Sequence, residues 1–328
     1  FRSDANSLCD ATFNRTNSQS ISGSGGTNGY NKIIVSIGTT GTDSLFVDAT
    51  VFTAPSDFLT INTGCFKLGS SSATTFVFTT PYTINQYGGI ILENPNANID
   101  FQGGLTLEGL LKINSGNILV GNAASENLTS RGGTLKINGG TLAIAGNYAV
   151  PDINNLALFT ITNGTMTVAT SGSTSTTLAP FQIYGAGSVF NMTGGSIVIQ
   201  REGGTGAQNL GYVVTGTSSS TVTGGTLQIG NASTPATQLM QINTTAPIGN
   251  LLINSVNASA QLLGNSLNVM NDVTITAGSF NANTLNVNLG GDWSDNGTWT
   301  PSTGTVTFDG SLDHTIEKLN STTESFSH

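Results

Sequence analysis

The sequence predicts an all-β chain built as an elongated right-handed parallel β-helix, a β-solenoid, with β-sandwich repeats as the alternative. Three observations carry this expectation. Apolar residues fill 37% of the 328 positions and arrive in short packets of period two, such as Leu135-Lys136-Ile137 and Ile197-Val198-Ile199. A Gly-Gly or Asn-Gly turn, followed by Thr or Ser and then such a packet, returns again and again in the same orientation. No segment holds a 3.6-residue apolar stripe of helical length, so helix content should be very low.

The recurring phrase opens at Gly104, Gly133, Gly164, Gly195 and Gly225, with Gly140 an additional turn inside one unit. Its steps are nearly equal, at about 30 residues, which lies in the range of solenoid coils that bury their apolar face only by stacking on a neighbour. Each packet reads as a strand, and glycine supplies the positive-φ corners. Asn114, Asn138 and Asn163 are expected at corners in left-handed conformations. A sandwich would show strands spaced by about 8–12 residues, without so long a repeat.

Three segments follow. Residues 1–87 are less regular and richer in Phe, suited to starting or capping the stack. Residues 88–289 carry the repeats, and 290–328 form a further β unit in which Trp293, Trp299 and Phe308 lie on closely spaced short strands. The chain begins at Phe1 without Met or an apolar leader, as a processed secreted product or a piece of a longer chain would.

Composition narrows the function classes. Only 8% of residues are charged while 42 are glycine, so neutral hydroxyls and amides carry solubility, a habit of extracellular β-proteins. The apolar periodicity argues against a disordered polar stalk. Net charge is −9 and the nine bases are scattered from Arg2 to Lys318, which excludes a phosphate-binding patch and hence nucleic acid as a partner. No stretch approaches the roughly 18 apolar residues that span a bilayer, so membrane insertion is not expected. Cys9 and Cys65 are the two cysteines, and in an oxidising compartment they would pair as a disulfide contributing about 3 to 5 kcal/mol.

Little in the sequence could build a catalytic constellation, and no enzyme is expected. His314 and His328 are the two histidines, which excludes a His-based metal site or triad elsewhere. The cluster Gly203-Gly204-Thr205-Gly206 reads as a corner loop and not as a phosphate cradle. Because parallel β-helices include polysaccharide lyases and glycosidases, Glu93, Asp100 and Glu108 are the carboxylates to watch, spaced so that two could meet on adjacent coils. No cofactor is expected, except that Asp292, Asp295, Asp309 and Asp313 form the densest acidic group and are weak calcium candidates. Trp293 and Trp299 are candidates for stacking on sugar rings. Ice binding is the least favoured reading, since Thr160-Ile161-Thr162, Thr165-Met166-Thr167, Thr221-Val222-Thr223 and Thr274-Ile275-Thr276 do not share one register with the turns.

The run Leu289-Gly290-Gly291-Asp292-Trp293-Ser294-Asp295-Asn296-Gly297-Thr298-Trp299-Thr300-Pro301-Ser302-Thr303-Gly304-Thr305-Val306-Thr307-Phe308-Asp309-Gly310 resembles a unit of very large cell-surface proteins of Bacteroidetes, including gliding-motility adhesins of the SprB type. Asp43-Ser44-Leu45-Phe46-Val47-Asp48-Ala49, followed by Thr60-Ile61-Asn62 and Cys65, is similar to another unit of the same proteins. The resemblance implies an adhesin or surface filament exported by the type IX secretion machinery, although no carboxy-terminal sorting domain is visible. Asp43-Ser44-Leu45 also looks like the acceptor for O-glycans in this phylum, at Ser44. The expected role is therefore a secreted structural and adhesive module at the cell surface. Its partners would be glycans, abiotic or cell surfaces, and neighbouring repeats of the same filament.

Overall fold

The computed structural model describes residues 9–39, 42–69, 74–150, 155–204, 209–319 and Phe326. Among them the regular structure is β-strand alone, and every strand pairing is parallel. Parallel neighbours cannot be joined by tight hairpins. The β-sandwich alternative is therefore set aside, and the fold is a parallel β-solenoid.

Each coil places up to three short strands on three faces. One middle coil runs through Leu110–Ile113 on the first face, Asn117–Val120 on the second and Leu128–Ser130 on the third. The next runs through Thr134–Ile137, Thr141–Ile144 and Tyr148–Ala149, and each strand pairs with the one beneath it. Because side chains alternate along a strand, one set points inward from every coil and stacks in file. On the second face the inward file is Phe76, Ile99, Ile118, Leu142, Met166, Ile197, Leu227, Leu251, Val273 and Trp293, all buried. On the third it includes Leu128, Tyr148, Phe181, Tyr212 and Ile242. Burying each such side chain contributes about 1.5–3 kcal/mol. The half-exposed Lys67–Glu93 ion pair, at 2.9 Å, contributes no more than about 1 kcal/mol. The inward files hold the stack.

The coil length differs from the near-constant repeat read in the sequence. Along the second face, Leu142 lies on Met166, then Ile197, Leu227, Leu251, Val273 and Trp293. The interval is widest between Met166 and Ile197 and shrinks after Leu227, until the coil from Val273 to Trp293 has lost about a third of that length. The turns at Gly104 and Gly133 open strands of the third and first faces, so their spacing joins different faces; Gly140 is the turn in register with Gly164.

What is constant is the corner between the first and second faces. It is three residues long in five successive coils, 114–116, 138–140, 162–164, 193–195 and 223–225, and its last residue is always glycine. Gly116, Gly140, Gly164, Gly195 and Gly225 all have φ between 69° and 83°, where an L side chain is strained. They are also packed against one another. A Cβ on Gly140 would lie 2.3 Å from the carbonyl oxygen of Gly116, and one on Gly164 would lie 2.6 Å from that of Gly140. The same carbonyls accept the next coil's first amide: Thr141 N–H donates to Gly116 and Thr165 N–H to Gly140, at 2.9 and 3.0 Å. Asn114 and Asn138 do stand at these corners, but neither they nor Asn163 is among the residues with positive φ. Glycine takes that conformation, and the asparagines are left to bond along the stack.

The ladder runs through the regions around residues 87 and 290, with Phe66 on Ile90 and Val273 on Trp293. Toward the amino terminus, Gln19–Ser36 spans two faces, pairing with Ser44–Thr53 and with Leu59–Leu68. The Phe-rich character of this part becomes core, where Phe52, Phe58, Phe66, Phe76 and Phe78 pack ring against ring. After Ser219–Val222 the first-face ladder is interrupted at Pro247, which has no N–H to donate. It resumes with Ile248 on Val269, Leu267–Val269 on Val287–Leu289 and then Val306–Phe308.

The glycine corner makes a paired prediction. Gly164→Ala adds a Cβ against backbone, whereas Gly132, also at positive φ (86°), has nothing within 4 Å of an added Cβ. Gly132→Ala should cost about 1–2 kcal/mol from backbone strain, and Gly164→Ala at least twice that, measured by urea unfolding of both variants.

Candidate functional site

Outside the core the faces carry files of neutral polar side chains. On the second face Thr75, Asn98, Asn117, Thr141, Thr165, Ser196, Thr226 and Asn250 succeed one another in register. Asn117 Nδ2 donates to Asn98 Oδ1 at 2.9 Å and Thr141 Oγ1 to Asn117 Oδ1 at 2.6 Å. A second ladder follows the glycine corner. Asn114 Nδ2 donates to Glu93 Oε1 (3.0 Å), Asn138 Nδ2 to Asn114 Oδ1 (2.9 Å) and Thr162 Oγ1 to Asn138 Oδ1 (3.3 Å). Stacking in register lets each amide donate to the coil beneath and accept from the coil above, so these polar groups are satisfied largely without charge. Cations gather on the first face, where Lys67, Ile91, Lys112 and Lys136 share one outward file. Lys67 is bonded to Glu93 and lies 5.0 Å from the centre of the Phe46 ring.

Several sequence candidates land elsewhere than expected. Cys9 and Cys65 are two thiols and not a disulfide. Cys9 begins a strand lying on Tyr30, whereas Cys65 is buried on the first face between Ser44 and Gly89, so they occupy different ladders. Trp293 and Trp299 cannot stack on a sugar. Both point inward, 0% and 8% exposed, and pack on each other and on Phe280 with ring centres 4.8–6.4 Å apart. The Phe326 ring closes over them, 5.4 Å from Trp293 and 6.4 Å from Trp299.

The four aspartates do not make a calcium site, and no group of three or more His, Cys, Asp or Glu converges among the described residues. Asp292 accepts the Thr315 N–H at 2.7 Å, while its own N–H donates to Asp272. Asp295 stands in the inward file after Ile275, fully buried, and is ion-paired with Lys318 of the following coil. It also accepts the Gly297 N–H at 2.6 Å. Asp309 and Asp313 are exposed in the segment between the strands Val306–Phe308 and Ile316–Lys318.

Glu93, Asp100 and Glu108 belong to one coil and not to adjacent ones. Glu93 is at the corner after the first-face strand, Asp100 on the second face, and Glu108 at the corner after the third. Glu93 is held by Lys67 and Asn114, and Asp100 accepts from Gln102 at 3.1 Å. Three carboxylates on different sides of a solid coil do not flank one bond, as glycoside cleavage requires.

Ser44 opens the strand Ser44–Thr53, half-buried, with its N–H bonded to Ser18 Oγ at 3.0 Å. The Thr-x-Thr phrases are split between the first face, at Thr160 and Thr221, and the second, at Thr165 and Thr274. His314 packs beside Phe308, with ring centres 5.7 Å apart. His328, Thr205 and Gly206 lie outside the described residues.

Sequence reasoning missed a third-face hydroxyl file, Ser259 on Ser279 on Thr298. The register that aligns them is visible only once the inserts between them are threaded. The sequence matches no family model, and no curated protein or solved structure matches it.

Two measurements test this placement. Burial pushes the Cys65 thiol up to about 11 from an ordinary 9.0. Between those values the folded chain holds a proton the unfolded chain has lost. Stability is therefore whole below pH 9 and declines as pH rises to about 11. Burial also raises the phenols of Tyr82, Tyr148 and Tyr212, so these three should ionise only as the chain unfolds, read by tyrosinate absorbance in parallel with circular dichroism. Separately, Lys318→Met leaves the Asp295 carboxylate buried without its cation and should cost about 3–5 kcal/mol. Hydrogen exchange should show the loss in the amides of Trp293–Asp295 and Thr298–Thr300.

Proposed function

We propose that this chain is a secreted structural and adhesive module of a bacterial cell-surface filament or adhesin. Its stiffness would come from the stack and its binding from faces rich in hydroxyls and amides. The observation that supports this reading is the unbroken second-face ladder from Thr74–Phe78 to Ile316–Lys318, with a solid apolar interior and a neutral polar exterior. A rod of this kind transmits load along its axis through backbone hydrogen bonds and stacked side chains. It also presents the same chemistry at every coil, which suits weak contacts repeated many times.

The resemblance of residues 289–310 and of the segment around Asp43-Ser44-Leu45 to Bacteroidetes gliding-motility adhesins adds the more specific proposal. In that reading the module is part of a long surface filament exported by the type IX route, and Ser44 carries an O-glycan. Partners are then glycans, abiotic or cell surfaces and neighbouring repeats.

Beads coated with the chain should adhere to glycan-coated or abiotic surfaces more than uncoated beads, and a polysaccharide panel incubated with it should release no reducing or unsaturated sugar. Failure to adhere to any surface would sink the adhesive role. Sugar release would replace it with the lyase or glycosidase alternative, to be traced through Glu93→Gln and Asp100→Asn.

A further inference from the structure

The corner between the second and third faces varies where the glycine corner does not. Loop 230–237 stands out from it in one coil. In the next, residues 255–258 stand opposite the single residue Gly278, because Asn254 pairs with Ala277 and Ser259 with Ser279. The following coil turns as tightly, through Asn296 and Gly297. A long turn above two short ones makes an overhang. Asn257 Nδ2 braces it by donating to the Thr234 carbonyl at 2.9 Å, and Val256 at its tip is 82% exposed.

Beneath the overhang lies an open groove of about 870 Å³. Its floor is the hydroxyl file Ser259, Ser279 and Thr298. Ser279 Oγ donates to Ser259 Oγ at 2.8 Å, while Thr298 makes no side-chain hydrogen bond among the described residues. Leu239, Val256 and Ala277 supply apolar wall, and no ionisable side chain lines the groove.

We propose that this groove binds a neutral, extended oligosaccharide lying along the stack axis, an inference that rests on the adhesive reading and names its ligand class. Hydroxyls recur at the coil rise of roughly 4.8 Å, close to the length of one sugar residue in an extended 1,4-linked chain. The alternation of hydroxyls with small aliphatic groups matches a sugar ring, whose edges are polar and whose C–H faces are not. The lack of charge excludes the ion pairing that uronic or sulfated chains would use. With no aromatic platform, a single groove binds weakly and depends on repetition for avidity.

The test uses the full chain with neutral cello-, chito-, xylo- and manno-oligosaccharides and with oligogalacturonate, titrated by NMR and by calorimetry. Binding to at least one neutral series is expected. The double variant Ser279→Val/Thr298→Val and the single variant Thr276→Glu should each weaken it about tenfold or more, while Thr160→Val, on the first face, leaves it unchanged. Circular dichroism melts check that each variant is folded. Equal binding by both folded groove variants, or preference for the acidic chain, overturns the groove assignment and leaves adhesion standing. Absence of binding to every sugar overturns the groove assignment by itself, and failure of coated beads to adhere as well overturns the adhesive reading with it.

Discussion

The five middle coils of this molecule are held in step by the close approach of one coil to the next at a three-residue corner that ends in glycine. There the backbone must turn with positive φ and, in the same place, offer its carbonyl to the amide of the coil that follows. A side chain meets both obstacles at once, an unfavourable φ and a neighbouring backbone atom at 2.3–2.8 Å for Gly140, Gly164 and Gly195. With the corner fixed, the strands on either side begin in register. With register fixed, period-two alternation delivers the apolar side chains to the interior in files.

The remaining two corners vary in length from coil to coil, and there the chain tolerates inserts. The coil is longest from Met166 to Ile197 and about a third shorter from Val273 to Trp293, yet the second-face file passes through both undisturbed, because the additional residues leave at the corners. The same freedom creates the overhang at residues 255–258. At the carboxy-terminal end the interior changes chemistry. Aliphatic residues give way to Trp293, Trp299 and Phe308 under the Phe326 ring, and the inward file passes from Ile275 to the paired Asp295 and Lys318. A buried ion pair adds little net stability over a packed hydrocarbon. It does, however, penalise any register in which the two coils slip.

The fold class was legible because its signals are local. Leu135-Lys136-Ile137 and Ile197-Val198-Ile199 announce half-buried strands, and Gly-Gly-Thr announces a corner at any position in the coil. The coil length was not legible, since the same phrase introduces strands of different faces and only pairing tells Gly133 from Gly140. The candidate site suffered more. Asp295 and Trp293 read as surface chemistry because acidic and aromatic residues cluster there in the chain, yet both fall on inward positions. Ser259, Ser279 and Thr298 carry no motif and pass unnoticed until they are aligned.

The sequence by itself determined that the chain is all-β, that it turns on glycine, that its strands run in one direction, and that its surface is sparsely charged. These follow from alternation and from the steric demands of single residues, which a linear reading contains. Tertiary structure alone decided which residues lie above which. Register is a relation between segments a whole coil apart, set by backbone hydrogen bonds and by inserts that composition does not reveal. That relation separates Cys9 from Cys65, turns a supposed calcium ligand into half of a buried ion pair, and lines three unremarked hydroxyls along one groove.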